Sequence, residues 1–155
     1  MSTAVDQLHA AWSANEVEFS VVGIPVAQGG MRAFVVGGVA RVTNKNPKNL
    51  ADWRRAIAQA AGTAMAQRGL FLGPVDVDVT FTLPRPRSHY GARGGVKPAA
   101  PVHVQTRPDL DKEVRALLDG ITGVVVHDDA QVASLSARKV YGETPGCDVK
   151  VRRIE

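Results

Sequence analysis

The sequence predicts a single α+β domain with a mixed β-sheet and two main helices. Three observations point there. At 155 residues the chain is long enough for one hydrophobic core and short for two. Two segments carry opposite periodicities: a helical one near residue 55 and a strict alternation from Val75 to Leu83. The remaining apolar runs are short and bounded by Gly and Pro, as strands are. Read in order, the elements are strand, hairpin, helix, strand, loop, helix and three extended segments, without repeats or an interdomain linker.

Residues 1–15 are expected to form a short helix or a flexible lead-in. Residues 17–26, VEFSVVGIPV, are apolar and β-branched and end at Gly and Pro, which predicts a strand. MRAFVV and VARVT then flank Gly37-Gly38, a suitable hairpin turn. In the next segment Leu50, Trp53, Ile57, Ala60, Ala61 and Ala64 recur on one helical face. Asn49 is placed to cap this helix and Gly69 to end it. From Val75 to Leu83 the valines and Phe81 alternate with Asp76, Asp78 and threonines, a half-buried strand with its carboxylates toward solvent.

No acid lies between Asp78 and Asp109, whereas Arg85, Arg87, Arg93, Lys97 and Arg107 do, with His89, Tyr90 and His103 among them. The Pro and Gly content of residues 84–106 predicts a long flexible loop. It serves as a phosphate-binding surface or as a plain solvated loop. A second helix is expected from about Leu110 to Asp119, closed near Gly120, with Leu110, Val114, Leu117 and Leu118 as its apolar stripe. On that wheel Asp111 and Arg115 are neighbours at the stripe's margin, and Lys112 and Glu113 point further out. GVVVHD reads as a short buried strand, AQVASLSARKVYG as an extended segment and CDVKVRRI as the last strand.

No apolar run approaches the ~18 residues that cross a bilayer, and the first residues lack the pattern of a signal peptide. Cys147 is the single cysteine, which excludes an internal disulfide and a cysteine-based zinc cluster. The cytoplasm of a bacterial cell is the expected compartment.

Five aspartates fall within residues 107–132 of a chain whose formal net charge is +4: Asp109, Asp111, Asp119, Asp128 and Asp129. Each has a local explanation. Asp109 is placed to cap the second helix, Asp111 sits in the first turn where the macrodipole favours an anion, and Asp128-Asp129 suits a turn. Together they permit another. Three carboxylates converging from a helix start and a strand end can hold one or two hard divalent cations, which would compensate the acids while the basic loop attracts a polyanion.

RPDLDKEVRALLDGITGVVVHDDAQV, followed by KVYG at 139–142, resembles the signature of the RusA family of Holliday junction resolvases. VEFSVVGIPVAQGGMR is similar to that family's first strand, Gly-x-Pro turn and following basic residue. The resemblance implies a RusA-like fold and a homodimer that cuts branched DNA by paired nicks, using Mg²⁺ with Mn²⁺ as substitute. By position it makes Asp109, Asp111 and Asp129 metal ligands, with Asp128, Asp119, Gln131 and Lys139 supporting. Arg115 stands where the best-known form of the pattern has Lys; it can stabilise phosphate charge but cannot exchange a proton near neutral pH. Arg32, Arg85, Arg87, Arg93, Lys97 and Arg107 would contact the DNA backbone. Two other readings stay open: a non-catalytic nucleic-acid-binding protein of the same fold, and a metal-dependent nuclease acting on other DNA structures.

Overall fold

The computed structural model describes residues 14–29, 31–36, 39–44 and 47–155, and for residues 31–47 no side chains. The lead-in through residue 13 and the Gly37-Gly38 turn lie outside the described residues. The elements are β1 (Glu16–Val22), β2 (Met31–Val36), β3 (Val39–Asn44), α1 (Pro47–Met65), β4 (Val75–Leu83), α2 (Leu110–Ile121), β5 (Val132–Tyr141) and β6 (Gly146–Arg153). Short 3-10 turns occupy Arg87–His89 and Asp129–Gln131.

Four strands form a mixed sheet in the order β1-β6-β4-β5, and β2-β3 pair as a separate antiparallel hairpin. β6 runs antiparallel to both β1 and β4, whereas β5 is parallel to β4. Parallel neighbours need a crossover. Here the loop after β4, α2 and the turn before β5 supply it. The fold is therefore the mixed-sheet α+β domain with two main helices that the sequence predicts.

Alternation decides which face of the sheet is core. Val75, Val77, Val79 and Phe81 are fully buried, and Leu83 nearly so. Cys147, Val149 and Val151 continue that face on β6, and Val17, Phe19 and Val21 on β1. Burial pushes the Cys147 thiol up to about 12, which leaves it an inert core group. Both helices pack on this face: Leu50, Trp53, Ile57 and Ala61 from α1, Val114, Leu117 and Ile121 from α2. The other face carries cross-strand ion pairs: Asp78 with Arg138 at 2.9 Å, Asp76 with Arg152 at 3.5 Å and Glu16 with Lys150 at 3.3 Å.

Several local expectations are corrected. β1 stops at Val22, before the Gly-Ile-Pro segment. α1 begins at Pro47, the first-turn position that proline suits, so Asn49 lies inside the helix and does not cap it. Its end needs no Gly69. Ala66 and Gln67 take φ of 50° and 65°, and the Arg68 guanidinium donates to the carbonyls of Met65 (3.1 Å) and Ala64 (3.4 Å). α2 runs past Gly120 to Ile121. Gly120 is a close-approach residue: a Cβ there would lie 2.8 Å from Ile57 Cγ2. GVVVHD is not a strand. Val124 to His127 form a compact turn held by isolated bridges from Val126 to Phe71 and Thr122, with Val125 and Val126 fully buried. A short apolar run cannot by itself distinguish a strand from a buried turn.

Candidate active site

α2 projects its solvent side away from the sheet, and three of the aspartates are set by it. Asp109 occupies the N-cap position, where its carbonyl accepts the amides of Lys112 and Glu113 at 3.2 and 3.1 Å. Its carboxylate does no capping. Oδ2 instead meets Lys112 Nζ at 3.2 Å. Asp111, Arg115 and Asp119 follow at four-residue spacing along the exposed face. Asp119 accepts from Arg54 of α1 at 2.8 Å, and the same guanidinium donates to Gln28 Oε1 at 2.9 Å. The Gln28 amide in turn donates to the Lys112 carbonyl at 3.0 Å, docking the segment after β1 onto α2. Among the described residues, Asp111 and Arg115 have no side-chain partner.

The other two aspartates come from the turn before β5. Asp128 accepts from the Ala130 amide at 2.8 Å, and Gln131 Oε1 accepts from the His127 and Asp128 amides at 2.8 and 3.1 Å, a reciprocal capping box. Gln131 Nε2 donates to the carbonyls of Phe71 and Gly73 at 2.8 and 2.9 Å, so this one side chain anchors the turn to the end of the α1–β4 connection. The Ala130 amide and then the Asp129 side chain hold the Asp128 carboxyl below the usual range. Asp129 is pushed up, first by the hydrogen bond it shares with Asp128, then by desolvation and by the charges of Asp128 and Asp119.

An all-carboxylate set is the right donor chemistry for a hard cation. Asp109, Asp111 and Asp129 are all exposed, and Asp129 experiences the like-charge repulsion that a cation would relieve. Among the described residues, no three acidic, histidine or cysteine side chains are drawn together as a ligand cluster.

The basic loop is a long non-regular segment, yet it is organised where a flexible one was expected. Arg85 is half-buried, donates to the Pro101 carbonyl at 2.7 Å and stacks 4.5 Å above the Tyr141 ring, against which His89 packs edge-on at 5.4 Å. Tyr90 bridges to Val96. Arg87, Arg93, Lys97 and Arg107 remain exposed. Arg32 lies in β2, and its side chain is outside the described residues. Lys139 of β5 donates to the carbonyls of Thr106 and Pro108 at 2.8 and 2.9 Å, immediately before Asp109.

A family model described as endodeoxyribonuclease RusA matches residues 23–152. The chain belongs to the RusA family. The matched span runs from just after β1 to residue 152 in β6 and contains all five aspartates of the candidate site. This RusA-family chain is also similar to the uncharacterized protein YqaN of Bacillus subtilis (strain 168), with 29% identity over 140 residues, covering 89% of this chain and 96% of that protein.

Two residues near the site escape the sequence reading. Arg54 holds Asp119, and its place could be found, because it lies four residues after Leu50 and three before Ile57, at the margin of the apolar stripe of α1. Glu113 was expected to point outward, yet it is fully buried, with no hydrogen-bond partner for either carboxylate oxygen among the described residues. Burial pushes its pKa up to about 7, against the opposing pull of Lys139. The signal is the spacing of Glu113, Ala116, Leu117 and Gly120, an i, i+3, i+4, i+7 series that centres the buried face of α2 nearer Leu117.

Proposed function

We propose that this RusA-family protein is a metal-dependent endonuclease that resolves four-way or related branched DNA by paired symmetric nicks, acting as a homodimer. The observation that carries the reading is the outer face of α2. It presents Asp111 and Arg115, both exposed and without partners among the described residues, inside a chain of an endodeoxyribonuclease family. Asp109, Asp111 and Asp129 would hold Mg²⁺ or Mn²⁺, which when bound supplies an activated water and offsets charge on the phosphate under attack. Asp109 would exchange Lys112 for that role. Arg115 offers a planar, permanently charged donor fork to the phosphate and takes no part in proton transfer.

The charge distribution supports approach of DNA from the side of the loop and α2. Arg87, Arg93, Lys97 and Arg107 are exposed in a stretch without acids. The outer face of the sheet instead holds an open depression of about 500 Å³ lined by Glu18, Asp78 and Asp148 with Lys150, where the lining cation is already paired with Glu16 and Glu18. Contacts of the loop to phosphates give affinity and register without base reading. Junction preference then comes from DNA shape and from two sites related by a two-fold axis, which is the reason to expect a dimer.

The test is cleavage of an end-labelled four-way junction beside a linear duplex, in Mg²⁺, Mn²⁺ or EDTA, by the wild type and Asp111→Asn. Metal-dependent paired nicks in the junction, lost in Asp111→Asn while binding persists, are the expected result. Binding without cleavage in any metal would replace this reading with a non-catalytic binder, and equal cutting of linear duplex would replace it with a nuclease on other DNA structures.

A further inference from the structure

We infer that Lys139 is a positioning residue: its ammonium ties the chain segment that delivers Asp109 and Asp111 to the edge strand β5. This rests on the proposed role of those carboxylates. Lys139 pairs in register with Phe81 of β4, whose side chain is fully buried on the helix-covered face. The lysine therefore leaves the sheet on the same side as α2. Its Nζ has three protons to donate, and two are used on the carbonyls of Thr106 and Pro108, at 2.8 and 2.9 Å.

Those two bonds carry unusual weight because of what the segment lacks. Among the described residues, no backbone–backbone hydrogen bond ties residues 102–108 to any other part of the chain. The nearest fixed points are the Pro101 carbonyl, held by Arg85, and the Asp109 carbonyl, held by the first turn of α2. Between them lie seven residues, 102–108, with Lys139 as the tether. The segment enters α2 directly at Asp109, so a shift of Thr106–Pro108 moves the Asp109 carboxylate and the first turn that bears Asp111.

Two other uses of the lysine fit less well. As a DNA contact it would have to release both carbonyls, and it is half-buried whereas Arg87, Arg93, Lys97 and Arg107 are exposed. As a counter-ion for buried Glu113 it would be expected to touch that carboxylate, yet the two make neither a hydrogen bond nor an ion pair. The donor geometry is spent on backbone carbonyls, where a cation forms the stronger, charge-assisted kind of hydrogen bond.

The experiment compares wild type, Lys139→Met and Lys139→Arg by three measurements on the full chain: hydrogen exchange followed by mass spectrometry, Mn²⁺ binding by electron paramagnetic resonance without DNA, and junction binding in EDTA. Methionine keeps the length and apolar stem, and arginine restores donors. In Lys139→Met, exchange should rise in peptides covering the start of α2 and stay unchanged in α1 and β4. Its Mn²⁺ affinity should fall roughly tenfold, the usual scale for losing a group that orients ligands. Its junction binding in EDTA should stay within about twofold, in contrast to loss of a phosphate contact. Lys139→Arg should recover most of the exchange protection and Mn²⁺ affinity. Unchanged exchange at the start of α2 in Lys139→Met would overturn the inference, as would a loss of junction binding in EDTA matching that of the loop cations. A wild type without a Mn²⁺ site would sink the metal reading instead, while the exchange result would still decide whether Lys139 is the tether.

Discussion

Replacing Glu113 by leucine should make the protein more stable at alkaline pH and abolish part of its pH dependence. The wild-type carboxyl sits in the core with its pKa raised from 4.5 to about 7, chiefly by burial. The folded chain therefore keeps a proton that the unfolded chain has released, and it binds more protons between those two values. Stability from this group is full below about pH 4.5, declines as pH rises, and is lost once pH passes about 7. The gap corresponds to about 3 kcal/mol. Most of it should appear between about pH 5 and 8.5, a window in which unfolding by urea can be followed in EDTA. Over that window the stability of Glu113→Leu minus that of wild type should grow by about 2–3 kcal/mol in favour of the variant. Other titrating groups are common to both proteins and cancel in the difference. Parallel curves for the two proteins would show that Glu113 is not a buried titrating group, and the reasoning from its burial would fail.

Gly120→Ala should destabilise the chain by about 1 kcal/mol or more despite alanine's better helix propensity, because the new methyl would lie 2.8 and 3.0 Å from Ile57 side-chain atoms; a urea midpoint measures it. Gln131→Ala should cost about 2 kcal/mol, since it removes two hydrogen bonds from the His127 and Asp128 amides and two that join the turn to Phe71 and Gly73. Hydrogen exchange in that turn should rise with it. Alanine at Arg87, Arg93 or Lys97 should lower the salt slope of junction binding by about 1 each where the cation meets a phosphate. Arg85→Ala should act differently, by loosening the loop around Tyr141, and its effect should be seen in loop exchange.

The parts of the fold that could be read from the sequence are those with a clean period. β4 carries five apolar residues at every second position, and its bounds in the structure are those of the pattern. The hairpin and the apolar stripe of α1 follow in the same way. Periodicity fails where burial is not repetitive. Val125 and Val126 enter the core through a turn, because the amides of Val124 and Val125 fold back onto the Ile121 carbonyl at the end of α2. The ends of α1 were misplaced because Pro47 and Arg68 do work that a search for Asn and Gly caps does not seek.

The crowding of five aspartates in a basic chain has a partial answer in partners that the sequence does not reveal. Lys112 balances Asp109, Arg54 balances Asp119, and the Ala130 amide with the Gln131 box accounts for Asp128. Two of these partners lie within three residues, where local spacing suggests them, but Arg54 comes from another helix and only the packing of α1 on α2 brings it near. Asp111 and Asp129 are left, one on the open face of α2 and the other in repulsion with Asp128 and Asp119. Structural roles thus absorb three of the five acids and leave two facing solvent without a cation among the described residues. Capping explains neither charge: Asp111 has no side-chain partner among the described residues, and the hydrogen bond that Asp129 shares with Asp128 leaves it beside like charges. Exposed carboxylates at Asp111 and Asp129, with Arg115 one turn from Asp111 and without a partner among the described residues, are what an incoming divalent cation and a phosphate would explain together.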